Sequence, residues 1–163
     1  MSYDLYLLKR DVAGNDPAEA YERLEEQEAR EPSEAEAAEL RELAAELQAA
    51  SPGLDLSESD RGFMLQLGYE AERPVVIDIS ADEITMSWSY GAEDATDALK
   101  EVRTYLPVFE RHGYVAYDPQ LERLFDPDRD AGDAAATHEY VRGGVFEGTE
   151  KRSPWRRLFG RGR

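Results

Sequence analysis

Apolar residues recur with a period of two over five short stretches and with a helical period over three longer ones. In residues 3–8, Leu5 and Leu7 fall on one face and Tyr6 and Leu8 on the other, which predicts a strand covered on both sides. Residues 63–69 put Phe63, Leu65, Leu67 and Tyr69 on one face, and residues 74–80 do the same with Val75, Ile77 and Ile79. Residues 83–90 send Ile84, Met86, Trp88 and Tyr90 inward and Thr85, Ser87 and Ser89 outward. Three half-buried strands with short connections predict an antiparallel meander, with Ser80–Glu83 as a hairpin loop. A fifth strand is predicted at residues 114–117.

Between the first strand and the meander the pattern is helical. A turn over Asp11–Asp16 leads to Asp16 as N-cap, Pro17 at the first helical position and Glu19 as the boxing residue. Tyr21 and Leu24 give this helix a narrow apolar stripe, and Glu31-Pro32 interrupts it. Ser33 with Glu36 restarts a helix on the stripe Leu40, Leu43, Ala44 and Leu47, which Ser51-Pro52-Gly53 closes. The third helix, capped by Asp94 or Thr96, buries Ala98, Leu99, Val102, Leu106 and Phe109. Pro107 is expected to kink it and Gly113 to end it. Beyond the last strand, Asp118-Pro119 turns the chain and residues 121–125 read as a short helical turn.

The order strand, two helices, three strands, helix, strand predicts an α+β domain. Its sheet has about five strands, mainly antiparallel, with the helices on one face, a sandwich of the ferredoxin-like type. The helix between the fourth and fifth strands allows one parallel pair. Residues 1–125 form this domain; 126–150, starting with the apolar-poor DPDRDAGDAA, read as a linker or docking arm; 151–163 read as a flexible basic tail.

Charge and composition narrow the function. The chain has 163 residues, enough for one domain with a real core, and no cysteine, which excludes a disulfide framework and thiol chemistry. The 36 acidic and 19 basic residues are segregated: KRSPWRRLFGRGR at 151–163 holds six basic residues and no acid. Residues 1–150 therefore carry a net charge of −23, which repels nucleic acid and attracts cationic partners. Only three of the basic residues are lysine, a bias that fits a high-salt cytoplasm and a GC-rich coding bias alike. The first residues lack the form of a signal peptide and no run is long enough to span a membrane, so a cytoplasmic protein is expected.

Motifs for chemistry are sparse. No phosphate-binding loop, GxSxG or HExxH is present, and no cofactor is expected. Asp126, Asp128 and Asp130 have the spacing of a calcium loop, but Ala131 and Thr137 occupy its glycine and glutamate positions, which leaves a solvated linker. Asp78 interrupts an apolar strand and reads as a solvent-facing residue, with an acid–base role as the alternative. His112 precedes Gly113 at a helix end, where an imidazolium would meet the helix C-terminus, and His138 lies in the arm. No catalytic residue is assigned.

Aromatic residues with polar tips suggest a contact surface. The candidates are Tyr6, Trp88, Tyr90, Tyr114, Tyr117 and the neighbouring Asp118. In the tail, Trp155, Arg156, Arg157 and Phe159 are candidates for contact with the acidic body, a partner or an anionic membrane surface.

The opening Met1-Ser2-Tyr3-Asp4-Leu5-Tyr6 and the segment from Gly113 through Tyr117-Asp118-Pro119-Gln120 resemble small bacterial proteins of uncharacterised activity that begin MSYDL and close their last strand in YDPQ. Some of these are toxin-immunity or other interaction modules. The resemblance implies a compact α+β domain and carries no catalytic residue over. The expectation is an acidic interaction domain, in its concrete form an immunity-type inhibitor of a cationic protein. Two alternatives stand beside it: a small-molecule or enzymatic pocket between sheet and helix, using Asp78, Asp118 and His112, and a peripheral scaffold tethered by the basic tail.

Overall fold

A computed structural model describes residues 2–60, 62–70, 73–89 and 95–142. Ser2–Lys9 forms β1, followed by a helical turn, α1 (Arg10–Ala13), and the two acidic helices α2 (Pro17–Glu26) and α3 (Glu34–Ala50). Four strands follow: β2 (Leu56–Glu58), β3 (Leu65–Leu67), β4 (Val75–Ile79) and β5 (Ile84–Ser89). Then come α4 (Ala95–Arg111), β6 (Tyr114–Asp118), β7 (Arg123–Leu124) and α5 (Pro127–Arg142). The helix starts follow the capping chemistry in the sequence: the Asp16 carboxylate accepts from Glu19 N–H, and Ser33 and Glu36 complete a reciprocal capping box.

The protein is α+β, with an open antiparallel sheet in the order β2-β3-β4-β5-β1-β6-β7. Every pairing is antiparallel, so the expected parallel pair is absent among the described residues: β5 and β6 both pair with β1 instead of with each other. The sheet has seven strands rather than five. Both added strands lie at its edges and are two or three residues long, too short for alternation to register.

The inner face carries the main core. Leu5 and Leu7 of β1, Val75, Ile77 and Ile79 of β4, and Ile84, Met86 and Trp88 of β5 pack there against Leu43 and Leu47 of α3 and Val102, Leu106 and Phe109 of α4. Helix α4 runs continuously through Pro107, whose side is exposed, and ends at Gly113 with φ +81°.

Three expectations are corrected. The helices do not share one face: α1 and α2 lie on the outer face, where Ala13, Ala20 and Tyr21 pack on Leu8 and Tyr117. Residues 121–125 are no helical turn, because Glu122 adopts φ +52° and Arg123–Leu124 pairs with Tyr117 and Asp118. The run from Asp126 is no solvated linker. Asp126 accepts from the N–H groups of Asp128 and Arg129, opening α5, and Ala134 of α5 is buried in the main core.

Asp130 explains the density of acids there. It is fully buried, accepts from Arg123, from Arg129 and from Asp126 N–H, and thereby ties α5 to β7. Arg129 first, then the backbone donor and Arg123, hold its carboxyl well below the usual range against the opposing effect of burial. Among the described residues, no helix is long and apolar enough to cross a membrane.

Candidate functional site: the outer face of the sheet

Antiparallel register aligns one row of outward side chains across five strands: Gln66, Asp78, Thr85, Tyr6 and Tyr117. A second row holds Val76, Ser87 and Asp4. Directly opposite residues on such rows have Cβ atoms about 5 Å apart. Helix α2 covers only the β1, β6 and β7 end. There Tyr21 meets Tyr6 edge-on at 4.7 Å between ring centroids and Tyr117 at 5.3 Å. Of the outward positions beyond α2, Asp4, Gln66, Val76, Asp78 and Ser87 are partly exposed and Thr85 is buried.

That uncovered half concentrates carboxylates. Asp78 accepts from Gln66 Nε2 at 2.9 Å and from the Tyr69 hydroxyl at 2.8 Å. Tyr69 leaves the face expected for it because Gly68, at φ +84°, ends β3. A Cβ at Gly68 would stand 2.7 Å from the Val75 carbonyl oxygen, so glycine is required there. Tyr69 is consequently 44% exposed, with its ring at the border of the acidic surface.

Asp4, Glu25 and Glu83 pair with no basic side chain among the described residues; Glu25 accepts only from the Tyr21 hydroxyl, at 2.9 Å. Other acids fall in two groups: Glu22, Glu26, Glu34, Glu39 and Glu42 on the solvated sides of α2 and α3 also have no basic partner among the described residues, whereas several elsewhere are matched. Glu36 and Asp82 pair with Arg30, Glu46 with Arg111 and His112, Glu58 with Arg41, and Glu101 with Arg73. The Glu83 carboxyl is pushed up, chiefly by desolvation although part of the residue stays exposed, and then by the charges of Asp78, Glu25, Asp4 and Asp82. Burial, with added repulsion from Glu83, Asp4 and Glu25, pushes the Tyr6 hydroxyl up to about 12. Beside this surface, Leu24, Gln27, Ala29, Ser80, Asp82 and Glu83 line a shallow cleft of about 220 Å³.

Chemically, the fold sets carboxylates, hydroxyls and tyrosine rings side by side, with mutual repulsion among the acids. Among the described residues, no three acidic or histidine side chains converge closely enough to hold a metal ion. The repulsion has a measurable cost. Glu83→Gln should raise stability by on the order of 0.5 kcal/mol, the low end of what charge relief gives at a screened site. A urea melt near neutral pH checks this. The gain should shrink as pH falls through the carboxylate range, because a carboxyl whose folded pKa is raised penalises the fold only once it ionises.

The candidate residues divide between the two faces. Tyr6 and Tyr117 are on the outer face, Tyr6 half-buried and Tyr117 buried beneath α2. Trp88 and Tyr114 are core residues, 2% and 7% exposed, which corrects their reading as contact residues. Trp88 stacks on Tyr3 at 4.5 Å, and Lys9 Nζ lies 4.2 Å from the centroid of the Tyr114 ring. Asp118 is fully buried on the inner side, where it accepts from Tyr3 and from the N–H groups of Gln120 and Leu121. Tyr90, Trp155, Arg156, Arg157 and Phe159 lie outside the described residues.

Asp78, Asp118 and His112 do not converge. Asp78 faces outward and Asp118 inward, while His112 Nε2 is 3.2 Å from Glu46 Oε1 at the end of α4. Sequence reasoning passed over Asp4, Glu25, Gln66 and Glu83. The available signal was the outward register of Asp78, Thr85 and Ser87, three polar side chains on one face of neighbouring strands. No protein-family model, curated protein or solved structure matches the chain.

Proposed function

We propose that the protein is a binding domain for a cationic protein, docked on the uncovered acidic half of the outer face. The observation that carries this reading is the group Asp4, Glu25 and Glu83, brought by the fold beside Asp78 and flanked by Tyr6 and Tyr69, whose mutual repulsion and partial desolvation raise the Glu83 carboxyl. Carboxylates of this kind speed association with a positive partner, and the tyrosine rings supply desolvated contact. An immunity-type inhibitor of a cationic toxin is the specific form of the proposal. The core β1-α3-β4-β5-α4-β6, with its strands in the order β4-β5-β1-β6, supports a ferredoxin-like class extended by β2 and β3 on one edge and β7 on the other.

Titration of the full chain with an arginine-rich peptide tests the site. Neutralising Asp4 and Glu83 together (Asp4→Asn, Glu83→Gln) should weaken binding about tenfold, the equivalent of roughly 1.4 kcal/mol. The same change in net charge on the solvated surface of α3 (Glu39→Gln, Glu42→Gln) should leave affinity within about twofold. Equal losses from both pairs would reduce the effect to net charge and remove the site.

A further inference from the structure

We propose that helix α2 is a hinged cover: it detaches from the outer face as a unit, independently of any partner, while the rest of the domain stays folded, and like charge across its contact keeps it close to opening. Two fixed points bracket the cover. At one end, Arg10 donates its N–H to the Gly113 carbonyl at 2.8 Å. At the other, Arg30 is held on Asp82 by its N–H at 2.7 Å and by Nε at 2.9 Å, with its guanidinium also on Glu36. Between these points and α2 lie two exposed connections, residues 14–16 and 27–29. Gly14, at φ +51° with open space around it, makes the first a joint with little to restrain it.

Little holds α2 between those points. Ala20 and Tyr21 are its buried residues, with Ala18 and Leu24 partly buried, in a small cluster separate from the main core. Tyr21 touches the rings of Tyr6 and Tyr117, but its hydroxyl donates to Glu25 within its own helix. Among the described residues, no ion pair joins α2 to another element; Arg23 pairs with Glu19 one turn earlier. Helix α3 is the contrast. It buries Ala37, Leu40, Leu43, Ala44 and Leu47 and is tied to β2 through Arg41–Glu58 and to α4 through Glu46–Arg111.

Charge opposes the contact. Glu25 of α2 comes up against Asp4 of β1 and Glu83 of the β4–β5 hairpin. Asp16 and Glu22, at the other end of the helix, crowd Tyr117 together with Glu122 and Asp118 of the β6–β7 turn. Burial first, and these charges after it, push the Glu83 carboxyl and the Tyr6 and Tyr117 hydroxyls up. Salt screens such repulsion, so it should tighten the cover.

The sheet beneath does not depend on α2. Strands β1 and β6 keep Leu5, Leu7 and Ala116 in the main core on the opposite face and remain paired with each other. Detachment therefore bares Tyr6, Leu8, Val115 and Tyr117 on an intact sheet. A helix of ten residues is too short to persist in water by itself, so α2 melts when it leaves and its amides become open to exchange.

Native-state hydrogen exchange of the unaltered full chain reads the opening directly. After correction for intrinsic rates, amides 21–26 should exchange on the order of a hundredfold faster than amides 40–47 of α3. Their rates should stay nearly flat at low urea, because the opening exposes little surface, whereas those of α3 should climb steeply. Equal protection in the two helices, with the same steep urea dependence, would overturn the proposal, since α2 would then open only with the whole domain.

Thiol labelling tests the part played by charge. The chain has no cysteine, so Ala20→Cys and Ala44→Cys each give a single thiol, one on the underside of α2 and one in the main core. A neutral maleimide should modify position 20 far faster than position 44. Raising salt from about 0.02 M to about 0.3 M should slow the reaction at position 20 about threefold. Adding Glu25→Gln, which keeps an acceptor for the Tyr21 hydroxyl, should slow it similarly at low salt. A rate at position 20 that ignores both salt and Glu25→Gln, or that rises with salt, would overturn the claim that like charge keeps the cover close to opening.

Discussion

Replacing Trp88 with alanine is expected to cost the domain about 3–5 kcal/mol, enough to abolish folding in a protein of ordinary stability. Trp88 is 2% exposed, sits opposite Tyr3 and Val75 in the middle of the sheet, and stacks on the Tyr3 ring with an interplanar angle of 15°. Truncation removes that stacking, the burial of a large ring and the filler between β5 and the helices. The indole N–H has no hydrogen-bond partner among the described residues, so Trp88→Phe, which deletes that donor, should lose much less. A urea midpoint for each variant decides between a core residue and a contact residue. A contact residue would instead leave the midpoint unchanged and reduce binding.

The second large effect is expected at Asp118. Its carboxylate is fully buried and accepts from the Tyr3 hydroxyl and from two backbone N–H groups in the turn between β6 and β7. Asp118→Ala removes the acceptor shared by the buried Tyr3 hydroxyl and two part-buried N–H groups of the turn, and at about 1–3 kcal/mol for an unsatisfied buried group the loss should reach about 2–3 kcal/mol. Asp118→Asn keeps an acceptor oxygen and should cost less. The pH dependence has a definite sign. Burial pushes the Asp118 carboxyl up, and the three hydrogen bonds only partly offset this. A carboxyl whose folded pKa is raised favours the fold fully below its unfolded value near 3.9, and that contribution is lost as pH rises through the folded value. The stability difference between the unaltered protein and Asp118→Asn should therefore be larger near pH 4 than near pH 7, as urea melts at the two pH values would show. An equal difference at both would contradict the buried-carboxyl account.

Trp88 and Asp118 also mark the limits of the sequence. The alternation in β4 and β5 was legible because one face is wholly apolar, so Val75, Ile77, Ile79, Ile84, Met86 and Trp88 all point inward as read. The caps at Asp16 and Ser33 were legible because their chemistry is local. What Trp88 does was not: an aromatic residue on a strand has the same pattern whether a helix or a partner lies over it. Asp118 belongs to Tyr3, 115 positions away, and the pairing exists only because β1 and β6 are neighbours. The arginine partners of Asp130 likewise turn an apparently solvated acidic run into the start of α5. The acidic face was hidden for a similar reason. Asp4, Glu25, Asp78 and Glu83 come from four elements, and the surplus of acids along the whole chain masks any one of them.

Glu83 links the stability prediction to the proposed binding role. A surface that repels itself in the free protein gains when a cation arrives, so the Glu83→Gln change that steadies the fold should also weaken binding. Opposite signs for these two effects distinguish a binding face from an acid that merely solubilises the chain.

The central claim is that the uncovered half of the outer face receives the cationic partner. The most direct test is a map of amide chemical-shift changes in the full chain during titration with an arginine-rich peptide, over a range of salt concentrations. The account predicts the largest shifts at residues 4, 66, 78, 83, 85 and 87, fading together as salt rises. Shifts of equal size spread over the acidic surfaces of α2 and α3, with the outward residues of β3, β4 and β5 unmoved, would contradict it.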